Sequence, residues 1–599
     1  MRATSLFLAI ALLAQPFAQP FVQPAAAQAQ SSDADILVRS SRDRLSNWRE
    51  AETEHVIVLS DGKQADLVRI AHNLERLHFL LSILYDRLDA SPDIVKPRIT
   101  LVGDGAEFDA MDLQSRRAQS GPYPAEFPAQ AYYDPREDGP VAALSRLDQK
   151  LVLQRGPALA GVLPDLVRMT SETGSALPGN SRSPGPMPDP GAASATAMQF
   201  GGSPATAAGV NEISVLVDAE SRIYAAYARH FLQTYLPAAY PRWYVDGFGE
   251  LFSTFVAKSG EHGERIEYGR APGDYSTVIA RYARYPVAKI LSGDYLADRN
   301  SARRWTPYHA WVLTHMLSFD EARRKQLSVY LGRIARGDSP ADAAQAFGDL
   351  DQLQKDLIAW DNRRMPFDRI SYPAGKVDAP TVHQLTEGQA AFVKGRLELG
   401  SRVELPPESS DPKAAKARAR AIAERDSWLA RLRRDANRYG NNLEAQLLLA
   451  EAECRSGNPA ECVAAADRAL VLSPGNTNAL SWKGWGQVEQ AGNPADIKAA
   501  RALIARANRT DPLNPAPLLA YYRSFRETGA QPPEVAVLGL AEVVRIVPAA
   551  PGPRLELAEA LVQRGLEDAA RRLLAPVTRG AWKSPESEKA AALLQAASP

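Results

Sequence analysis

The side chains able to do chemistry gather in two stretches. Residues 223–232 read Ile-Tyr-Ala-Ala-Tyr-Ala-Arg-His-Phe-Leu, and residues 240–252 read Tyr-Pro-Arg-Trp-Tyr-Val-Asp-Gly-Phe-Gly-Glu-Leu-Phe. They carry Arg229, His230, Asp246 and Glu250, and a later helical stretch adds Tyr308 and His309. A histidine and two carboxylates on facing helices are the equipment of proton transfer. The same residue types hold a metal when two histidines stand at i and i+4, because that spacing puts both on one helix face. The chain has eight histidines and no such pair, and the permanent cation of Arg229 would repel a divalent ion at close range. We therefore expect no metal and no cofactor. A set rebuilt from His230, Asp246, Glu250 and His309 is the one remaining way to hold an ion.

Other catalytic signatures are missing. Gly201-Gly202-Ser203 lies in a Gly/Pro/Ser/Ala-rich stretch, not between a strand and a helix, so it is neither a nucleophile elbow nor a phosphate loop. Both cysteines, Cys454 and Cys462, lie in the C-terminal third, so the region of His230 has no thiol nucleophile.

The elements that must position these residues are legible from their periods. His55 to Leu59 reads as a strand, followed by an amphipathic helix from about Lys63 to Tyr85 with Leu67, Ile70, Leu74, Leu77 and Leu81 on one face. Residues 98–102 and 150–153 read as further strands, and Tyr132-Tyr133-Asp134 as another extended piece. Helical patterns follow near 212–236, 243–257, 305–318, 322–336 and 350–362. This is a small mixed sheet with helices, an α+β domain over residues 49–365. Residues 174–209, rich in Gly, Pro, Ser and Ala without an apolar period, read as a disordered insertion.

The layout of residues 223–252 is similar to the gluzincin zinc peptidases. In that family one helix carries His-Glu-x-x-His, and the next opens with a Pro-x-Trp stretch and supplies a Glu within Glu-Gly-x-x-Glu. Laid over that pattern, Ala225 stands at the first His, Ala226 at the catalytic Glu and Arg229 at the second His. Asp246 takes the third-ligand position and Glu250 matches the second Glu. The Glu267-Tyr268-Gly269, Tyr308-His309-Ala310-Trp311 and 343–348 segments extend the resemblance over about residues 50–365. It implies a peptidase-shaped domain whose catalytic motif is degenerate. Arg229 would then pair with Asp246 or Glu250, a side-chain cation in place of the ion.

Residues 366–410 read as a linker, and from 411 to 599 the chain is helical. Small-residue turns recur at Gly457, Gly492, Gly529 and Gly565, which by subtraction are 35, 37 and 36 residues apart. Pro474, Pro512, Pro548 and Pro576 read as stops of the second helix of each unit. This pattern resembles the tetratricopeptide repeat, which implies an all-α superhelical array able to bind a protein or peptide. Cys454 and Cys462 flank one of the turns; a local disulfide or two ordinary core cysteines both fit.

At the start of the chain, Arg2, the apolar run of residues 6–13 and Ala27-Gln28-Ala29 read as a bacterial-type signal peptide over residues 1–29, followed by a flexible stretch to residue 48. No Cys marks a lipoprotein and no later apolar run is long enough to cross a bilayer. The expectation is a periplasmic or secreted protein with no transmembrane segment in the mature chain. Equal numbers of acidic and basic residues, 70 of each, without a basic block interleaved with aromatics, argue against a nucleic-acid partner. The function expected is a non-catalytic scaffold or binding protein acting through the repeats. The alternative is a peptidase or other envelope hydrolase using a non-standard site in the same cleft.

Overall fold

The computed structural model describes residues 43–88, 95–103, 105–111, 113, 131–154, 167–168, 212–260, 263–273, 285–297, 306–581 and 584–597; for 149–154, 167–168 and 212–217 it gives the backbone course alone. The proposed signal peptide (1–29) and the proposed disordered insertion (174–209) lie outside these residues.

β1 (Leu45–Glu52) and β2 (Ile57–Ser60) form an antiparallel pair, and α1 (Gln64–Leu84) crosses over to β3 (Arg98–Val102), which runs parallel to β2. A parallel neighbour requires such a crossover. The helix buries Leu67, Ile70, Leu74, Leu77 and Leu81, the stripe its period marks. β4 (Ala131–Arg136) and β5 (Gly139–Ser145) are an antiparallel hairpin added to β3, with β4 at the sheet edge. Glu137 and Asp138 form its two-residue turn, and Gly139 follows at φ 121, a conformation that side chains disfavour.

A second, three-stranded sheet follows from β6 (Gln149–Gln154), β7 (Val167–Arg168) and β8 (Glu212–Val217). The helix expected from 212 therefore starts later. Glu-Ile-Ser-Val-Leu-Val is a β-branched strand, and Asp218 then caps α2 (Ala219–Tyr235) by accepting from the Ser221 N–H. α3 (Arg242–Ser253) also ends before the expected 257, and β9 (Val256–Gly260) pairs with β10 (Gly263–Tyr268). α4 (Thr306–Phe319), α5 (Glu321–Arg336) and α6 (Leu350–Asp361) complete the helical half.

Residues 366–410 are not a linker. β11 (Asp368–Tyr372) pairs with β10, and β12 (Thr381–Thr386) closes the six-stranded sheet against β1, giving the order β12-β1-β2-β3-β5-β4. The stretch expected to be flexible up to 48 likewise ends in β1, which pairs with β12 from Leu45 onward. α7 (Glu387–Val403) then starts on a Thr386/Gln389 capping box and packs on α8 (Pro412–Arg438) and on the next unit, so it already belongs to the array. The described residues belong to one compact unit.

Four helical hairpins follow: α9 (Leu443–Arg455) with α10 (Pro459–Leu472), α11 (Thr477–Gln490) with α12 (Pro494–Thr510), α13 (Pro515–Glu527) with α14 (Glu534–Ile546), and α15 (Pro551–Val562) with α16 (Glu567–Thr578). α17 (Pro585–Ala596) closes the stack. Prolines also open helices here: Pro412, Pro459, Pro494, Pro515, Pro551 and Pro585 stand in the first turn, where the missing N–H costs nothing. Pro576 is not a stop, since it sits inside α16, close to that helix's end. First helices touch one another in succession from α7 through α13 and form an inner row. Cys454 and Cys462 are joined by a disulfide across the α9–α10 turn, with Cα atoms 5.0 Å apart.

Candidate functional site

α2, α3 and α4 pack closely because α3 carries glycines on two faces. A side chain at Gly247 would strike the Ala310 carbonyl and the Thr314 hydroxyl of α4. One at Gly249 would strike Arg229 and come 2.9 Å from the Ala225 carbonyl of α2. Ala225 and Ala226 are themselves buried, at 2% exposure each. At the two positions where the resemblance puts a ligand and a base, this chain uses small side chains to bring helices together.

The charged residues are all paired. Arg229, its side chain 3% exposed, donates from Nη2 to Glu250 Oε1 at 2.8 Å. Asp246 accepts from Arg242 Nε at 2.8 Å, one helical turn back. Of the two partners open to Arg229 in the sequence, the fold selects Glu250. His230 is buried; its Nδ1 meets the Tyr133 hydroxyl at 2.9 Å and the Thr234 hydroxyl at 3.2 Å, and burial pulls its pKa down to about 4. Tyr308 and His309 are buried as well, and the Tyr285 N–H points at His309 Nδ1 at 3.5 Å.

Among the described residues, one group of three or more His, Cys, Asp and Glu brings its ligand atoms within 4.8 Å of one another: Glu54, His55 and Glu75. His230, Asp246, Glu250 and His309 do not converge on a shared point. The Glu54–His55–Glu75 group has a structural explanation. The backbone N–H and Nδ1 of His55 occupy the two carboxylate oxygens of Glu75, at 3.1 and 2.5 Å, which ties the β1–β2 turn to α1. Burial alone would raise the Glu75 carboxyl, but His55 holds it down at about 2.

The residues that sequence reasoning missed join the two halves of the chain. The β4–β5 turn reaches the inner row of the array. Glu137 accepts from both terminal nitrogens of Arg523 on α13, at 2.8 and 2.7 Å, and Arg523 also grips Glu556 of α15. Asp138 pairs with Arg396 of α7 at 2.7 Å. Arg136 is buried against Asp134 at 2.6 Å and donates to the carbonyls of Arg396 and Leu397. Burial works against the Glu137 carboxylate, yet Arg523 and then Arg455 hold its pKa at about 2. The Asp138-Gly139 pair is a local signal that could have marked a turn here; a partner 386 residues away leaves none.

Two clefts flank this contact. One, of about 1190 Å³, runs between the sheet's β2, β3 and β5 ends and the inner row, with Lys96 and Arg98 on one wall and Asn478, Trp482 and Leu513 on the other. The other, of about 120 Å³, is what remains where Pro548, Pro551 and Arg554 roof Tyr133 and Pro135 of β4 and Tyr240 of the α2–α3 connection. The array thus covers the β4 edge of the sheet beside the helix pair. Its Ala575 and Ala581 also pack against the core of the first region.

No protein-family model and no curated protein matches the chain. Among solved structures it is similar to TTC0263, a thermophilic TPR protein of Thermus thermophilus, at 17% identity over 30% of this chain and 93% of that one, with a TM-score of 0.25. It is similar also to MamA, at 16% identity over 32% of this chain and 98% of that one, with a TM-score of 0.20.

Proposed function

We propose that this chain is an exported, non-catalytic binding protein, in which the helical array holds a protein or peptide partner and a peptidase-shaped region serves as its folded support. The observation that carries this reading is the Arg229–Glu250 pair, 2.8 Å long and nearly buried, in the position where the resemblance would place a metal. Asp246 is bound to Arg242, and burial makes the His230 imidazole a weak base, its pKa about 4, with Nδ1 already engaged by the Tyr133 and Thr234 hydroxyls, so neither is poised to activate water. Among the described residues, Pro548, Pro551 and Arg554 of the array narrow the space beside Tyr133 and Tyr240 to about 120 Å³. These features weigh against a hydrolase built from Asp246, Glu250, Tyr308 and His309. Export is supported by the residue pattern of positions 1–29.

The partner role is tested with photo-crosslinking residues in the full chain at positions 478 and 513, which are exposed on the array, and at Val256 and Ile358, which are exposed elsewhere. Crosslinks to one discrete protein from the array positions, absent from the other two, are expected. The reverse pattern, or crosslinks from none of the four, overturns the reading.

A further inference from the structure

The contact between the β4–β5 turn and the inner row has the chemistry of a bound ligand. Its two acidic residues project from a tight turn that presents little else, and each meets an arginine of the array. Arg523 addresses Glu137 with two parallel N–H donors, the fork geometry suited to a carboxylate. Arg455, adjoining the disulfide-bonded Cys454, adds a third cation that acts on Glu137. Glu556 and Glu451 brace the arginines from behind, Glu556 on Arg523 and Glu451 on Arg455 at 3.3 Å, so the cations are held in position and not only screened. The arginines come from α7, α9 and α13, three members of the inner row, so only the stacked array assembles them.

We propose that the inner row carries a recognition site for an acidic β-turn, centred on Arg523 with Arg396 and Arg455, that this chain fills in cis with Glu137 and Asp138. A partner presenting a Glu-Asp turn competes for the same arginines, and the cis turn sets the threshold for its entry. The inference deepens the binding role proposed above and rests on it. The surface where α13 and α15 meet the β4–β5 hairpin is then a closed form of the binding site. The chain's own turn lowers apparent affinity for a competitor by the fraction of time it occupies the site.

The test uses the full chain and a fluorescent, cyclised hairpin peptide with the sequence of residues 132–142. Wild type is compared with Glu137→Gln and with Glu137→Asp, which keeps the charge but shortens the reach and guards against a folding defect in the first variant. Both variants are expected to bind the peptide about tenfold or more tightly than wild type, as vacating the site removes the cis competitor. Binding is expected to disappear with Arg523→Gln added to either variant, and with a peptide carrying Gln and Asn for its two turn acids. Equal affinity of wild type and variants, binding that survives the neutral peptide, or no binding to any chain overturns the proposal. These outcomes need no natural partner, so they leave the crosslinking test of the binding role to stand or fall separately.

Discussion

Replacing Glu137 with Gln should loosen the array where it meets the sheet while leaving the rest of the fold intact. The size of the effect follows from the carboxyl's environment. Its ordinary value of 4.5 is lowered to about 2 because Arg523 and Arg455 outweigh burial. At about 1.4 kcal/mol per pKa unit that is roughly 3 kcal/mol of preference for the charged form in the docked state. Glu556 shares Arg523, and the Glu137 side chain keeps 18% of its exposure, so we take about 2 kcal/mol as the expected loss. That corresponds to a roughly 30-fold larger opening equilibrium constant, read as hydrogen exchange of α13 and α15, with α1 as an internal standard that should not change. The sign in pH is fixed by the same shift. A carboxyl lowered in the folded state contributes fully above its ordinary value and loses its contribution as pH falls through about 4.5 toward 2. Wild-type α13 should therefore lose protection over that window, and the Gln variant should show no such step. Unchanged exchange in α13 at pH 7, or an identical acid step in both proteins, would refute the reasoning.

Several further outcomes follow from the same contacts. Arg229→Met leaves the Glu250 carboxylate without its buried partner and should cost about 3 kcal/mol in thermal or denaturant unfolding; adding Glu250→Leu should recover much of it, and a double variant no more stable than the single would show the pair is not the dominant local term. Gly249→Ala forces a methyl onto Arg229 and the Ala225 carbonyl and should destabilise by about 1–3 kcal/mol, whereas Gly492→Ala, with nothing within 4 Å, should be neutral or stabilising by a few tenths. Cys454→Ser with Cys462→Ser opens a short loop worth about 2–3 kcal/mol in the chain-entropy account, so exchange in α9 and α10 should rise while that of α1 holds; equal exchange with and without the bond would remove the disulfide from the stability of the array.

Much of the local structure was written in the sequence, and the reason is periodicity. α1 declares itself through Leu67, Ile70, Leu74, Leu77 and Leu81, whose one apolar face meets one core, and β3 coincides with the run expected at 98–102, a short strand buried on both faces between two clusters. β12 escaped notice because Thr-Val-His-Gln-Leu-Thr is half exposed at a sheet edge and its partner β1 lies more than 300 residues earlier. Residues 212–217 were read as helix because a short apolar run running straight into α2 carries no period of its own. At the candidate site, an arginine facing two carboxylates was legible, but which carboxylate it takes depends on α3 being held against α2 by Gly249 and on Arg242 already claiming Asp246. The contact of Glu137 with Arg523 could not be read at all, since it joins a hairpin turn to a helix through the stacking of the whole array.

With Arg229 paired to Glu250 and Asp246 to Arg242, we expect no metal chemistry from the helix pair α2–α3. The most direct test is cleavage of a peptide library by the full-length protein, assayed as purified, after zinc loading and after chelation, with zinc content measured on the same samples. No cleavage is expected in any of the three conditions. One equivalent of zinc together with cleavage that chelation abolishes would contradict it.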